Sequence, residues 1–349
     1  MSDAPQSLRA FTAMFPDEQA CAEYLEGIRW PNGFACPKCG EAGEPYRFTA
    51  TVRRVRCRAC EATVHLTAGT VMHRSHTPLD VWFLGAYLMT SLTPGISALQ
   101  FKRQLELVSY GTAWNILHKL RAGMVRPDRD RIGGKWPVEV DETYVGGKTK
   151  GEGRGVTHQT IVIGAVEVRE RTKEFSKSRK SRYAGRLRLR VLSTGRKTEK
   201  IHQFVKDSVE RGAIVRTDGW KAYRALPGMG YEHEGLTMYH DPKRAQAHLP
   251  MVHLVFANLK TWIDGTHHGV GKQHLQAYLN EFVFRFNRRF YPFEAFHSAL
   301  GIAMDVAGPT YDGLYHGTWR HPNPRFAGLD WQADFGDIAT DDDAWEALA

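Results

Sequence analysis

The sequence has no run of about 18 predominantly apolar residues, the length a membrane-spanning helix requires. Its most apolar stretch, from Val81 to Leu92, is short and is closed off by Pro94 and Gly95. The first residues, MSDAPQSLRA, lack the basic start and apolar run of a secretory signal. A cytoplasmic location without a membrane partner is therefore expected. Cysteine is scarce, five in 349 residues, which excludes a small disulfide scaffold. No Gly-x-Ser-x-Gly turn is present to support serine catalysis, and no phosphate-loop motif supports nucleotide hydrolysis. Residues 328–349 contain no Lys or Arg at all, but seven acids.

With 42% hydrophobic and 24% charged residues the chain has material for a sizeable core, and its length implies two to three domains at about 150 residues each. The net charge is +9, and without the acidic end the rest carries +16. A basic body ending in an acidic tail points to nucleic acid as partner, although a high isoelectric point also suits an ordinary soluble protein. The segment after Gly308 is rich in Gly, Pro and aromatics and has no clear periodicity, so a disordered end or a tail covering basic surface is expected.

Four of the cysteines form two pairs, Cys36-Pro-Lys-Cys39 and Cys57-Arg-Ala-Cys60, separated by seventeen residues. That spacing suits a four-thiolate Zn2+ site, and Gly40 suits the sharp turn after the first pair. Four thiolates leave no open position for water, so the zinc is structural. Tyr46 to Val55 reads as strand. The surrounding Lys38, Arg47, Arg53, Arg54, Arg56 and Arg58 can rest on phosphates or simply be solvated. Cys21 falls outside the pattern and is expected as a small buried residue.

From Pro78 to Gly123 the pattern is helical, with a first helix through Trp82, Phe83, Ala86 and Tyr87, a second over Ile96–Leu105 and a third from Thr112. The last two resemble a helix-turn-helix presenting Asn115, His118, Lys119 and Arg121 outward to DNA, although any three-helix bundle has a similar pattern.

The texture changes after the polar linker Pro127–Gly134. Val138–Val145 alternates as a strand closed by Gly146 and Gly147; Ile161–Val168 and Leu187–Leu192 read as further strands. A helix over Thr198–Arg211 then leads to a strand at Ala213–Val215, which runs into Thr217 and Asp218. A strand reached through a helical crossover pairs in parallel with its partner. If that partner is the first strand, Asp141 and Asp218 meet at one sheet edge, where paired carboxylates bind Mg2+ or Mn2+. Two such ions clamp the attacking and leaving oxygens of a phosphodiester. Either Asp alone also suits an ordinary turn.

CPKCG with CRAC, VEVDETYVGGK, RTDGWKAY, HLVFANLKTWIDGTHHGV and LQAYLNEFVFRFNRR together resemble the insertion-sequence DDE transposases that carry an N-terminal zinc ribbon, the ISXO-type group, over residues 17–300. The resemblance implies an α/β multidomain protein. It would comprise a helical start (1–30), a zinc ribbon (31–75), a helix-turn-helix-like segment (76–126), an RNase H-like catalytic domain (135–300) and a tail (301–349). It further implies metal-dependent cleavage and strand transfer at element ends, double-stranded DNA as partner, and a homodimer or larger assembly. Asp141 and Asp218 would be the first two acids. The third position, a Glu on a later helix in most DDE enzymes, matches Asn258, as in an Asp-Asp-Asn subgroup. An amide oxygen ligates Mg2+ without adding charge. Asp264, Glu281 and Glu142 are fallback carboxylates.

His253 and Lys260, two turns apart on that helix, and His267 and His268 in the Gly-rich loop Gly265–Gly271, are candidate DNA contacts, as are Arg285, Arg288 and Arg289 on the helix Gln273–Arg289. Residues 169–190 hold ten Lys or Arg and two Glu, a basic insertion between the second and third strands in which Lys177, Arg179, Lys180 and Arg182 are expected to meet the DNA backbone. A non-enzymatic zinc-ribbon DNA-binding regulator, and a nuclease that cuts without joining, remain alternatives.

Overall fold

The structure is a computed structural model and describes residues 4–125, 130–146, 159–171, 181–192, 197–236 and 247–316. It opens with helices α1 (Leu8–Met14) and α2 (Glu18–Arg29), each N-capped by the residue before it, Ser7 and Asp17. A small antiparallel sheet follows, β1 (Tyr46–Arg47), β2 (Arg54–Arg56) and β3 (Thr63–His65). Next come α3 (Leu79–Ser91), α4 (Ala98–Gln104) and α5 (Tyr110–Ala122).

The second sheet has β4 (Val138–Val145), β5 (Thr160–Glu170), β6 (Arg182–Leu192), β7 (Ile214–Thr217) and β8 (Glu232–Gly235), in the order β6-β5-β4-β7-β8. The first three are mutually antiparallel, and β7, reached through α6 (Thr198–Ser208), lies parallel to β4 with β8 parallel beyond it. This is the RNase H-like arrangement of a mixed sheet with helices on both faces. One face packs Val138, Val140 and Ile163 against Ile201, Phe204 and Val205 of α6. The other packs Val162, Val166, Leu187 and Leu189 against α7 (Pro250–Trp262) and α8 (Leu275–Asn287).

Helix α9 (Glu294–Asp305) returns to the N-terminal unit, where Phe296 meets the rings of Phe11, Phe15, Tyr24, Phe83 and Tyr87. Residues within Phe11–Met124 and Phe284–Val306 thus share one core, which crosses the segment boundaries drawn from sequence. A short α10 (Tyr311–Tyr315) lies beyond Gly308, where no period was legible. The four-residue β8 was also not foreseen; its EHEG sequence has no apolar alternation.

Two points bear on the expected basic surfaces. First, the described parts of the basic stretch 169–190 are largely strand, Arg169 and Glu170 ending β5 and Arg182–Arg190 lying in β6, whereas residues 172–180 lie outside the described residues. Arg186 and Arg169 bind Glu167 at 2.9 and 2.6 Å, Arg188 binds Asp130 at 3.1 Å and Arg190 binds Asp207 at 3.0 Å. Alternation of Arg with Leu187, Leu189 and Val191 marks a strand with one apolar face. Second, the polar side of α5 is not outward. His118, Lys119 and Arg121 are all buried, His118 and Arg121 against α8, far along the chain. Arg121 Nε donates to Glu281 Oε2 at 2.8 Å, and its guanidinium lies 4.1 Å from the centre of the Tyr278 ring. Asn115 is half-buried on the same helix. Glu281 is spent on this pair and on Arg285, so it is not a spare metal ligand.

Because Glu281 is the carboxylate facing both Arg121 and Arg285 in a buried setting, Glu281→Gln is expected to cost about 3–5 kcal/mol in urea unfolding. The surrounding histidines make stability pH-dependent. Burial first, then nearby Arg121, pushes His267 down to about 3, His274 down to about 4 and His118 well down. These rings stay neutral in the folded chain while the unfolded chain takes up protons below about pH 6.5. Stability is therefore complete above that pH and falls on acidification, by at most about 4 kcal/mol per pH unit for three groups. Urea midpoints at pH 7 and 5.5 measure the loss, and His118→Gln is expected to remove about a third of the slope.

Candidate active site

The alternation of β4 divides its acids between two faces. Val138 and Val140 face α6, so Glu139 and Asp141 face α7. Glu142 turns back to the α6 side, where its carboxylate accepts from the buried Tyr223 hydroxyl. It is thus not on Asp141's face, as expected from the strand period. The parallel register pairs Val138 with Val215 and Glu139 with Arg216. Advancing two residues along each strand reaches Asp141 and Asp218 at the same level. Adjacent strands lie about 4.8 Å apart, so two carboxylates at one level can close on a shared ion. Asp218 sits just past β7, its Oδ1 accepting from Trp220 N–H at 3.0 Å. Burial holds the Tyr223 phenol well above its ordinary pKa, and the charges of Glu142, Asp141 and Asp218 add to it. Both aspartates therefore act on one buried hydroxyl.

Helix α7 has Pro250 at its start and no cap of its own; the Glu139 carboxylate supplies it from β4. Glu139 Oε2 accepts from Met251 N–H at 2.7 Å and Val252 N–H at 2.8 Å. Burial raises Glu139 to about 6 against the pull of those two donors. The cap fixes the helix over the strand and brings His253 Nε2 to 3.0 Å from Asp141 Oδ2. That hydrogen bond raises the His253 pKa.

Asn258, the third group expected from sequence, is exposed on α7 and makes no hydrogen bond among the described residues. Five positions turn a helix through about 500°, so Asn258 lies roughly 140° around the axis from His253. The structure brings His253, not Asn258, to Asp141. Lys260 is exposed and, seven positions on, shares His253's side of the helix. Asp264 is exposed in a π-helical turn, Ile263–His267, which prolongs α7 where a loop was expected. His267 is packed against Trp262 and Tyr278, not offered to DNA, whereas His268 is exposed at φ +54°.

Arg182 is exposed at the start of β6, while Lys177, Arg179 and Lys180 lie outside the described residues. Arg285 is drawn inward to the Leu92 and Thr93 carbonyls, 2.5 Å from each; Arg288 and Arg289 cover the Phe284 and Phe286 rings. Sequence reasoning missed Glu139, Tyr223 and His248, whose Nε2 donates to Thr217 O at 3.1 Å. For Glu139 a signal existed, two residues before Asp141 and hence on its face.

The second centre is the ribbon. The sulfurs of Cys36, Cys39, Cys57 and Cys60 lie within 4.8 Å of one another, with Cys36–Cys60 and Cys39–Cys57 at 3.7 Å. A tetrahedral ion with Zn–S bonds of about 2.3 Å sets its sulfurs about 3.8 Å apart, so the donor set fits Zn2+. Gly40 at φ +78° and Glu61 at φ +57° follow the two pairs and turn each knuckle. Backbone N–H groups of Cys39 and Lys38 lower the Cys36 thiol to about 6, favouring the thiolate a metal needs. Cys21 is fully buried, as expected, and burial raises its pKa to about 12. One zinc per chain is expected by elemental analysis, and Cys57→Ser is expected to lose it and lower the thermal midpoint.

Comparison with known proteins covers the regions of both centres. Residues 132–287 match the ISXO2-like transposase domain and residues 16–63 the transposase zinc-ribbon domain, together more than half of the chain. The chain is 28% identical over 287 residues to an uncharacterized protein in transposable element ISH50 of Halobacterium salinarum, covering 78% of this chain and 91% of that one. No solved structure matches the chain. With its four-cysteine ribbon and RNase H-like sheet, the chain belongs to the insertion-sequence DDE transposases that carry an N-terminal zinc ribbon.

Proposed function

We propose that the protein catalyses metal-dependent DNA cleavage and strand transfer at the ends of an insertion sequence. The observation that supports this reading best is the level placement of Asp141 and Asp218 on parallel β4 and β7, with α7 laid over Asp141 by Glu139. Hard carboxylate oxygens suit Mg2+ or Mn2+, so the residues fit the metal that the family's chemistry requires. Bound there, the cation polarises a phosphodiester oxygen and makes water acidic enough to attack at neutral pH.

The chain's own groups do the rest. Asp141 and Asp218 hold the ion, and His253 takes the third place that sequence assigned to Asn258. His253 orients Asp141 through the 3.0 Å contact, while the buried Glu139 fixes the helix that carries it. Lys260, on the same side of α7, is the reading's contact to a phosphate near the scissile bond. In cleavage, water attacks phosphorus and the bond to the 3′ oxygen breaks, leaving a 3′-hydroxyl. In strand transfer that hydroxyl attacks a target phosphorus and displaces the target's own 3′ oxygen. Joining two ends to one target calls for two catalytic centres, so the reading includes a dimer or larger assembly on double-stranded DNA.

The test is to incubate the protein with Mn2+ or Mg2+ and a duplex bearing the element's ends. Asp141→Ala and Asp218→Ala are each expected to lower cleavage more than about 100-fold, the loss that even outer partners of metal ligands reach. Both are also expected to abolish Mn2+ binding measured by calorimetry. His253→Ala is expected to lose about 10- to 100-fold, and Asn258→Ala little. Cleavage that survives Asp218→Ala unchanged would overturn the site. The reverse ranking of His253 and Asn258 would restore the amide as third ligand, and cleavage without joined products would make the protein a nuclease.

A further inference from the structure

A cavity of about 640 Å³ opens in the ribbon, clear of the four thiolates. Its walls are the strand entry Ala50–Arg54, His65 on β3, and the segment from Thr67 to His76. Arg54 pairs in register with His65 at one end of the β2–β3 hairpin, whereas Arg56 pairs with Thr63 at the end that leads into the Cys57–Cys60 turn. Cavity and zinc site thus occupy opposite ends of one hairpin.

The charge of this cavity is one-sided. Among its lining residues Glu18 is the single carboxylate, and both its oxygens are taken: Oε1 by Arg53 Nε at 2.5 Å, Oε2 by Leu79 N–H at 2.6 Å. Arg53 is equally spent, donating also to the Ser75 and Thr77 carbonyls at 3.3 and 2.9 Å. Arg54 and Arg74, by contrast, are exposed and have no acidic partner among the described residues. Arg74 holds φ +55°, a backbone conformation few residues with a side chain adopt, which sets it apart from its neighbours. His73 Nδ1 accepts from Gly69 N–H at 3.2 Å, leaving Nε2 to carry the proton as a donor. Burial, and then the charge of Arg54, lowers the His65 pKa, as expected where positive charge is already in excess.

The lining holds no Phe, Tyr or Trp to stack a base, and no Asn or Gln to read a base edge. A guanidinium pair without acids or stacking surface suits phosphates and not nucleobases. We propose that this cavity docks the phosphate backbone of duplex DNA through Arg54 and Arg74, a sequence-independent contact separate from the catalytic site. The proposal deepens the transposase reading and rests on DNA being the partner.

The experiment uses the full chain carrying Asp218→Ala, without added divalent metal, so that binding is read and cleavage is not. Fluorescence anisotropy follows two labelled duplexes, one bearing an element end and one of scrambled sequence, across roughly 50 to 200 mM salt. Arg54→Gln with Arg74→Gln is expected to weaken both duplexes alike, by roughly tenfold or more, and to lower the log–log salt slope by about 2. The charge-keeping pair Arg54→Lys with Arg74→Lys, with its zinc retained, is expected to keep the parent slope. Unchanged affinity and slope in the glutamine pair overturn the proposal while leaving the active-site reading intact. So does a loss confined to the end-bearing duplex, or an equal loss in the lysine pair. Failure of the Asp218→Ala parent to bind either duplex sinks the DNA reading itself.

Discussion

Two like charges held at one level of a rigid sheet are the constraint on which the catalytic half depends. Asp141 lies on β4 and Asp218 just past the end of its parallel neighbour β7, at the same level when the printed register is extended by two residues. Adjacent carboxylates repel, and a pair is stable as two anions only when a cation or donors offset them. Donors are present at both: His253 and the Glu142 N–H at Asp141, and the Trp220 N–H at Asp218. Two carboxylates at one level are suited to a small divalent ion, which offsets their repulsion further.

The rest of the domain can be understood as holding that register. Val138, Val140 and Val215 are fully buried against α6, which fixes the strands from one side. On the other side Glu139 joins β4 to the first turn of α7 through two backbone N–H groups. A carboxylate at a helix N-terminus also meets the positive end of its dipole. Strand and helix are therefore tied together, and His253, 112 positions further along the chain, becomes a neighbour of Asp141 through one buried acid.

What could be read in the sequence follows from how local the signal was. β4 was legible over Val138–Val145 because strict alternation and two glycines bounded it, and the thiolate spacing announced the ribbon. The parallel pairing of β4 with β7 was legible from the crossover helix between them. Which side chain of α7 meets Asp141 was not, because helix azimuth depends on which face of α7 the sheet buries. Val252, Val255, Phe256 and Leu259 mark that face, with His253 on one flank and Asn258 towards the other, and only the position of Asp141 decides between flanks. The inward polar face of α5 was equally hidden: its cover, α8, is a partner 160 residues away. An Arg in a sequence gives no sign of whether a distant acid will claim it.

That last point bears on where DNA can sit. The chain's +9 excess is not spread over an even surface, because many arginines are consumed internally. Arg121, Arg186, Arg188 and Arg190 are tied to Glu281, Glu167, Asp130 and Asp207, and Arg53 to Glu18. A guanidinium already donating to a carboxylate has little to offer a phosphate, since its donors and its charge are both in use. The cations that remain without an acid among the described residues, among them Lys260 on the exposed flank of α7 and Arg54 with Arg74 on the ribbon, are the ones available to a polyanion. Subtracting paired charges before drawing a basic surface moves the expected contact away from the β5–β6 strands and the α5 face, towards the ribbon and the exposed flank of α7. Net charge sets how strongly the whole chain attracts DNA; pairing inside the fold sets where the DNA can be held.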